Sequence, residues 1–212
     1  MSGCACNNEL KFTGLSDKFR RILWVIIAIN ATMFVIEMVG GFFAGSQALK
    51  ADALDFLGDT VTYTITLMVI GMPLLWRARA ALFKGVTLGL MGGWILISTV
   101  YSTIFIGLPK AETMGLIGVM ALLANLTSVL FLLKYRNGDA NVRSVWLCSR
   151  NDAIGNLAVI LAATGVWASE SAYPDLAVAG LMSTLFLWSS IQIVKQAREE
   201  LASESSVVVT AE

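Results

Sequence analysis

The chain has 212 residues, and its fifteen basic and fifteen acidic side chains cancel at neutral pH, so no global field favours nucleic acid as a partner. It is 57% hydrophobic and only 14% charged, with a mean hydropathy of +0.74, whereas a soluble domain carries about 25% charged residues. Repeated apolar runs of membrane-crossing length exclude a large soluble core and indicate an integral membrane protein.

Residues 1–18 are polar or mixed and hold no short apolar run ahead of a small-residue cleavage site, so no signal peptide is expected. Cys4 and Cys6 are too close for an ordinary structural bridge, and Cys148 lies within an apolar span. Six spans can be drawn, at about Ile22–Phe43, Leu49–Met72, Leu82–Gly107, Met114–Leu133, Val142–Ala168 and Tyr173–Val194. Gly71-Met72-Pro73, Leu108-Pro109 and Tyr173-Pro174 punctuate them. The expected fold is an all-α integral membrane bundle of six transmembrane helices. Its parts are a cytoplasmic N-terminal tail at 1–20, a membrane domain at 21–195 and a short polar tail at 196–212 with no further domain.

Basic residues orient the bundle. Lys11, Lys18, Arg20 and Arg21 precede the first span, Arg77, Arg79 and Lys84 follow the second, Lys134, Arg136 and Arg143 follow the fourth, and Lys195 and Arg198 follow the sixth. The opposite side holds Lys110. By the positive-inside rule both termini are cytoplasmic, and an even number of spans demands the same.

The second span is the unusual one. It carries Asp52, Asp55 and Asp59 at offsets that place all three on one helical face, with Thr62, Tyr63 and Thr66 continuing the stripe. A carboxylate near the bilayer centre costs on the order of 2.5–3.5 kcal/mol even on lenient insertion scales. Three are tolerated only if they face one another, water or a cation. The fifth span answers it with Cys148, Asp152 and Asn156 at successive i, i+4 positions. Asp55/Asp59 and Cys148/Asp152 are two pairs of equal spacing that can converge from facing helices into a four-coordinate pocket. Three carboxylates and a thiolate suit a divalent ion of borderline-to-soft character; the plainer alternative is a network of protonated acids with Asn and Thr donors.

Lys50 and Arg150 stand outside the loop count. Lys50 is expected to snorkel to the outer interface, and Arg150 to pair with an acid on another helix, for which Glu37 is the candidate. Gly85, Gly89 and Gly93 form a repeated small-xxx-small pattern that serves either a homodimer contact through transmembrane helices or packing within the bundle.

The run N-A-T-M-F-V-I-E-M-V-G-G-F-F-A-G-S-Q-A-L-K-A-D-A-L-D-F-L-G-D from Asn30 to Asp59 resembles the cation diffusion facilitator family. So do A-N-L-T-S-V-L-F-L-L around Asn125 and N-V-R-S-V-W-L-C-S-R-N-D from Asn141 to Asp152. The likeness covers roughly residues 20–195. It implies a six-helix bundle that exports divalent metals against protons, with two H/D-x-x-x-D motifs on helices two and five as the metal site. On this sequence the motifs fall on Asp55 and Asp59 and on Cys148 and Asp152. Supporting or pathway candidates are Asp52, Asn156, Asn151, Glu37, Asn30 and Asn125.

The chain departs from the family pattern in three ways. Cys148 stands where a histidine is usual, and no histidine occurs anywhere in the chain. The cytoplasmic domain that typically follows helix six is expected to be missing, since the sequence given ends seventeen residues after Lys195. Cys4-Ala-Cys6 at the N-terminus either hands a soft metal to the entrance or is an inert tail.

The expected function is divalent metal efflux, zinc or cadmium, exchanged for protons by alternating access in a bacterial inner membrane. The partners are metal ions, protons and the bilayer, with no prosthetic group and no enzymatic activity. A metal channel or sensor using the same site is the alternative. An intramembrane aspartyl protease using Asp59 and Asp152 is more remote, because Phe56 occupies the first glycine position of its G-x-G-D signature.

Overall fold

The computed structural model describes residues 17–69, 74–105, 107–136 and 140–209. Six α-helices follow one another: α1 Asp17–Ala44, α2 Gln47–Val69, α3 Leu74–Phe105, α4 Ala111–Leu132, α5 Ala140–Ser169 and α6 Tyr173–Val209. A single 3₁₀ turn, Leu133–Tyr135, closes α4. The described residues form no strand. Long apolar runs without Pro or polar punctuation leave the backbone one way to satisfy its own N–H and C=O groups in lipid, which is the helix.

Large apolar side chains face outward as well as inward. Phe43, Leu90, Ile97, Ile104, Leu161 and Trp188 are all well exposed, as expected of a surface solvated by acyl chains. Among the described residues, five helices are long and apolar enough to cross a membrane. The sixth, α2, carries Lys50, Asp52, Asp55 and Asp59, and the packing shows why they are tolerated. Helix α2 touches α1, α3, α5 and α6, so protein surrounds it and lipid does not solvate its polar stripe. The remaining close pairings are α3 with α6, α4 with α5, α1 with α4, and α5 with α6.

Several helices run beyond the apolar windows. With 37 residues, α6 is about 55 Å long at 1.5 Å per residue, well over the roughly 30 Å hydrocarbon core. Its continuation takes in most of the segment read as a polar tail after Lys195. Hydropathy marks only the part of a helix inside the membrane, while hydrogen bonding carries the helix onward.

The connections α1–α2, α3–α4 and α5–α6 gather at one end, where the Lys110 N–H donates to the Ala44 carbonyl at 2.9 Å. At the opposite end Phe19, Leu23, Ile26, Tyr63, Leu132 and Tyr135 belong to one apolar cluster, with the rings of Phe19 and Tyr135 edge to face at 5.2 Å. A second cluster, including Leu49, Leu54, Met114, Val159 and Phe186, fills the Ser46 end. The acidic stripe of α2 starts at the level of this second cluster, whose Ala51 and Leu54 flank Asp52, and runs on toward the first.

The glycines of α3 pack against α6. A Cβ on Gly85 would lie 2.8 Å from Val194 Cγ2, and one on Gly92 would lie 3.0 Å from Phe186 Cβ and 3.2 Å from the Ser183 carbonyl. The Ser190 hydroxyl donates to the Gly85 carbonyl at 2.7 Å. Gly85 and Gly89 therefore serve packing within the bundle, while Gly93 has open space around it.

Candidate metal centre

The position of α2 is set at its first turn. Gly45 takes a left-handed φ of 69°, which glycine adopts without steric cost. The Ser46 N–H then reaches the Gly41 carbonyl at 3.0 Å and the Gly45 N–H reaches Phe42 at 3.3 Å, the paired bonds of a Schellman ending. Ser46 next caps α2, its hydroxyl oxygen accepting the Leu49 N–H at 3.0 Å. Asp175 of α6 completes the cap, accepting the Gln47 N–H at 2.8 Å, the Ala48 N–H at 3.0 Å and the Ser46 hydroxyl at 2.6 Å. The Gln47 side chain binds α3, donating to the Ser102 hydroxyl and accepting from Ser98 at 3.0 Å.

From this anchored turn α2 carries its acids down the middle of the bundle. Asp55 and Asp59 each interact through hydrogen bonds with Asp152 of α5, and Asp59 also with Tyr63. The Tyr63 hydroxyl lies 3.4 Å from that of Ser149 and 3.5 Å from the Val145 carbonyl, tying the lower half of α2 to α5. Asp55, Asp59 and Asp152 are half-buried. Lys84 of α3 is close enough to act electrostatically on both Asp55 and Asp59.

Cys148 occupies α5 one turn before Asp152; its side chain lies outside the described ones, as does that of Thr66. Cys4 and Cys6 lie outside the described residues altogether. Among the described residues no group of three or more Cys, Asp or Glu side chains is arranged, as it stands, to hold a metal ion. The three aspartates meet pairwise through Asp152.

Beyond them toward the Ser46 end lies a second acidic pair. Glu37 of α1 and Asp52 are 0% and 1% exposed and act on each other. The two carboxyls interact through a hydrogen bond with each other, and neither Glu37 oxygen nor Asp52 Oδ2 finds a further partner. Asn30, Asn125 and Asn156 are also buried, and Asn30 Oδ1 and both amide atoms of Asn156 are unpartnered.

Three expectations are corrected. Arg150 does not reach Glu37: it is exposed, stacks over Trp146 at 5.4 Å from the ring centroid and donates to Asn151 at 3.3 Å. A residue two positions from Asp152 points away from the helix face that Asp152 occupies. Asn151 is exposed on that outer side and takes no part in the centre. Lys50 does not snorkel freely: it is 6% exposed and lays its ammonium over the Phe42 ring at 4.6 Å. Thr62, half-buried on α2, donates its hydroxyl to the Gly58 carbonyl at 2.7 Å. Sequence reasoning missed Ser46, Gln47, Asp175 and Lys84. The signals that could have found the first three are the Gly-Ser junction, typical of a helix end followed by an N-cap, and an acid just after Pro174.

Residues 23–72 and 77–202 match the cation efflux transmembrane domain family. The chain belongs to that family. Among cation efflux relatives, it is 28% identical over 185 residues to the metal cation efflux system protein CzcD of Cupriavidus metallidurans, covering 79% of this chain and 56% of that protein. It is 29% identical over 204 residues to the zinc transporter ZitB of Escherichia coli, covering 89% of this chain and 64% of the relative. A cadmium, cobalt and zinc/H(+)-K(+) antiporter of Bacillus subtilis is 24% identical over 218 residues, covering 91% of this chain and 69% of that protein. The chain thus spans little more than half the length of CzcD. Membership of the cation efflux family and the apolar helices make it a multi-pass membrane protein.

Proposed function

We propose that the chain exports divalent metal ions, zinc or cadmium foremost, in exchange for protons, using Asp55, Asp59, Cys148 and Asp152 as the transport site. The observation that carries this reading is the meeting of Asp152 with both Asp55 and Asp59. They come from helices almost a hundred residues apart in sequence. Carboxylates and a thiol bind metal only when deprotonated, so taking up an ion and releasing protons are one event. With neither metal nor proton, several negative charges would share a low-dielectric site, a state too unfavourable to populate. That exclusion couples the two fluxes.

The apolar clusters at the two ends act as the seals that alternate: loosening one exposes the acids to one side while the other stays packed. Lys18, Arg20, Arg21, Lys134 and Arg136 are exposed near the end that holds Tyr135, which supports a cytoplasmic placement of that end and of both termini. A bacterial inner membrane fits the relatives' sources. Cys4 and Cys6 are assigned an accessory role in capturing metal.

The test is flux in proteoliposomes with an internal pH dye, run with zinc, cadmium, cobalt and manganese. Metal-driven proton movement that disappears in Asp59→Ala is expected. Metal flux without any proton movement would replace the exchanger with a channel.

A further inference from the structure

Glu37, Asp52 and Asn156 form a group that the transport reaction as described does not use. The two acids come from α1 and α2, and Asn156 comes from α5. All three are essentially inaccessible, at 0%, 1% and 0% exposure. The Glu37 and Asp52 carboxyls interact through a hydrogen bond with each other, and Glu37 Oε1 and Oε2 and Asp52 Oδ2 have no further partner, while both amide atoms of Asn156 have none at all. Buried polar groups are nearly always hydrogen-bonded, so an acidic pair without a cation and a buried amide without a partner need a reason. The charges acting on Glu37 and Asp52 are each other and Asp55; Lys50, the nearest cation in sequence, is stacked on Phe42 beside Asp175.

Register places the three at one level of the bundle. Asp152 meets Asp55, and α2 and α5 run in opposite directions in this bundle. Asp52 is about one turn from Asp55 toward the Ser46 end, and Asn156 is one turn from Asp152 in the same direction. Glu37 reaches that level from α1. Val159, one turn farther along α5, belongs to the apolar cluster that fills the Ser46 end. The group therefore lies on the Ser46 side of the transport acids, at the level of that seal, whose Ala51 and Leu54 flank Asp52.

We infer that Glu37, Asp52 and Asn156 form a second cation station, which the exported divalent ion occupies after leaving Asp55, Asp59 and Asp152. This rests on the proposed transport reading. Two carboxylates balance one divalent ion, and the Asn156 carbonyl adds a neutral oxygen. An all-oxygen set is harder than one containing a thiolate, so it holds a zinc or cadmium ion more weakly and hands it on. Five carboxylates line the stripe, and one divalent ion balances only two, so charge does not forbid occupancy of both stations.

Glutamate provides a label that the first station lacks, since its ligands are aspartates and a cysteine. The experiment uses the full chain made by cell-free synthesis in lipid nanodiscs, with carboxyl-13C glutamate in one sample and carboxyl-13C aspartate in another. Zinc-induced infrared difference spectra are recorded on each. The expected result is a shifted 13C-glutamate carboxylate band in the wild type that vanishes in Glu37→Gln. The 13C-aspartate band should shift in both. An aspartate shift with no glutamate shift overturns the second station and leaves the transport site standing. A glutamate shift that persists in Glu37→Gln belongs to surface acids and also overturns it. A glutamate shift lost in Glu37→Gln, with an aspartate shift insensitive to Asp55→Asn and Asp59→Asn, supports the station and sinks the transport-site assignment. The decisive spectra are those of the wild type, so a poorly folded variant does not stand in the way.

Discussion

Asp175 Oδ2 accepts the backbone N–H of Gln47 at 2.8 Å, joining the first turn of α6 to the first turn of α2. Helix α2 thus begins on a carboxylate lent by another helix, where the positive end of its dipole favours negative charge. Asp55 and Asp59 of the candidate centre, and Asp52 beside them, sit on the helix held in this way. The cap fixes how far Asp52, Asp55 and Asp59 stand along the bundle.

Removing that carboxylate leaves two buried N–H groups and the Ser46 hydroxyl without an acceptor. Asp175→Ala is expected to lower stability by roughly 2–4 kcal/mol, with a smaller loss for Asp175→Asn, whose carbonyl oxygen still accepts. Thermal unfolding in detergent measures it. Equal melting of Asp175→Ala and wild type would show that the cap does not hold α2.

The neighbouring glycines of α3 give a matched pair. Gly92→Ala forces a methyl against Phe186 and the Ser183 carbonyl and should destabilise by about 1–3 kcal/mol as α3 and α6 part. Gly93→Ala meets open space and should be neutral, or gain up to about 1 kcal/mol from helix propensity. The same unfolding assay ranks them; the reverse order would contradict the α3–α6 packing.

Asp55→Ala, Asp59→Ala and Asp152→Ala should each abolish metal-driven proton movement while the protein still inserts, because a neutral side chain removes a burial cost. In the wild type, zinc affinity should rise with pH. The bound state carries fewer protons than the free state, so lowering pH opposes binding, by about tenfold per pH unit for each proton released. Isothermal titration in buffers of different ionisation enthalpy counts those protons. An affinity that does not change with pH would break the link between metal and proton.

Cys148 sets metal preference if it is a ligand. The site should then rank cadmium and zinc above cobalt, with manganese last. Cys148→His keeps a ligand of neutral nitrogen and should retain zinc transport while losing the preference for cadmium. Cys148→Ala should weaken both. Free cysteines are often small packed hydrophobes, and unchanged zinc and cadmium affinities in Cys148→Ala would place Cys148 among them.

Six helices, and which of them carries the acids, were legible from local features alone. Apolar runs, Gly and Pro at their ends, and the spacing of Asp52, Asp55 and Asp59 need no knowledge of neighbours, because helical periodicity is a property of a single segment. The same periodicity put Asp152 on a face that could meet Asp55 and Asp59. It gave no partner for Glu37, and the choice of Arg150 failed because ion pairing across helices depends on rotation about each axis.

Only the tertiary structure decided that α2 is wrapped by four other helices, which is what lets it be polar at all. It also separated the acids into the Asp55–Asp59–Asp152 group and the Glu37–Asp52 pair, and turned Gly85 and Gly89 toward α6. The cap from Asp175 to Gln47 joins positions 128 residues apart. No local pattern encodes that contact, because long-range pairing follows from how whole helices stack.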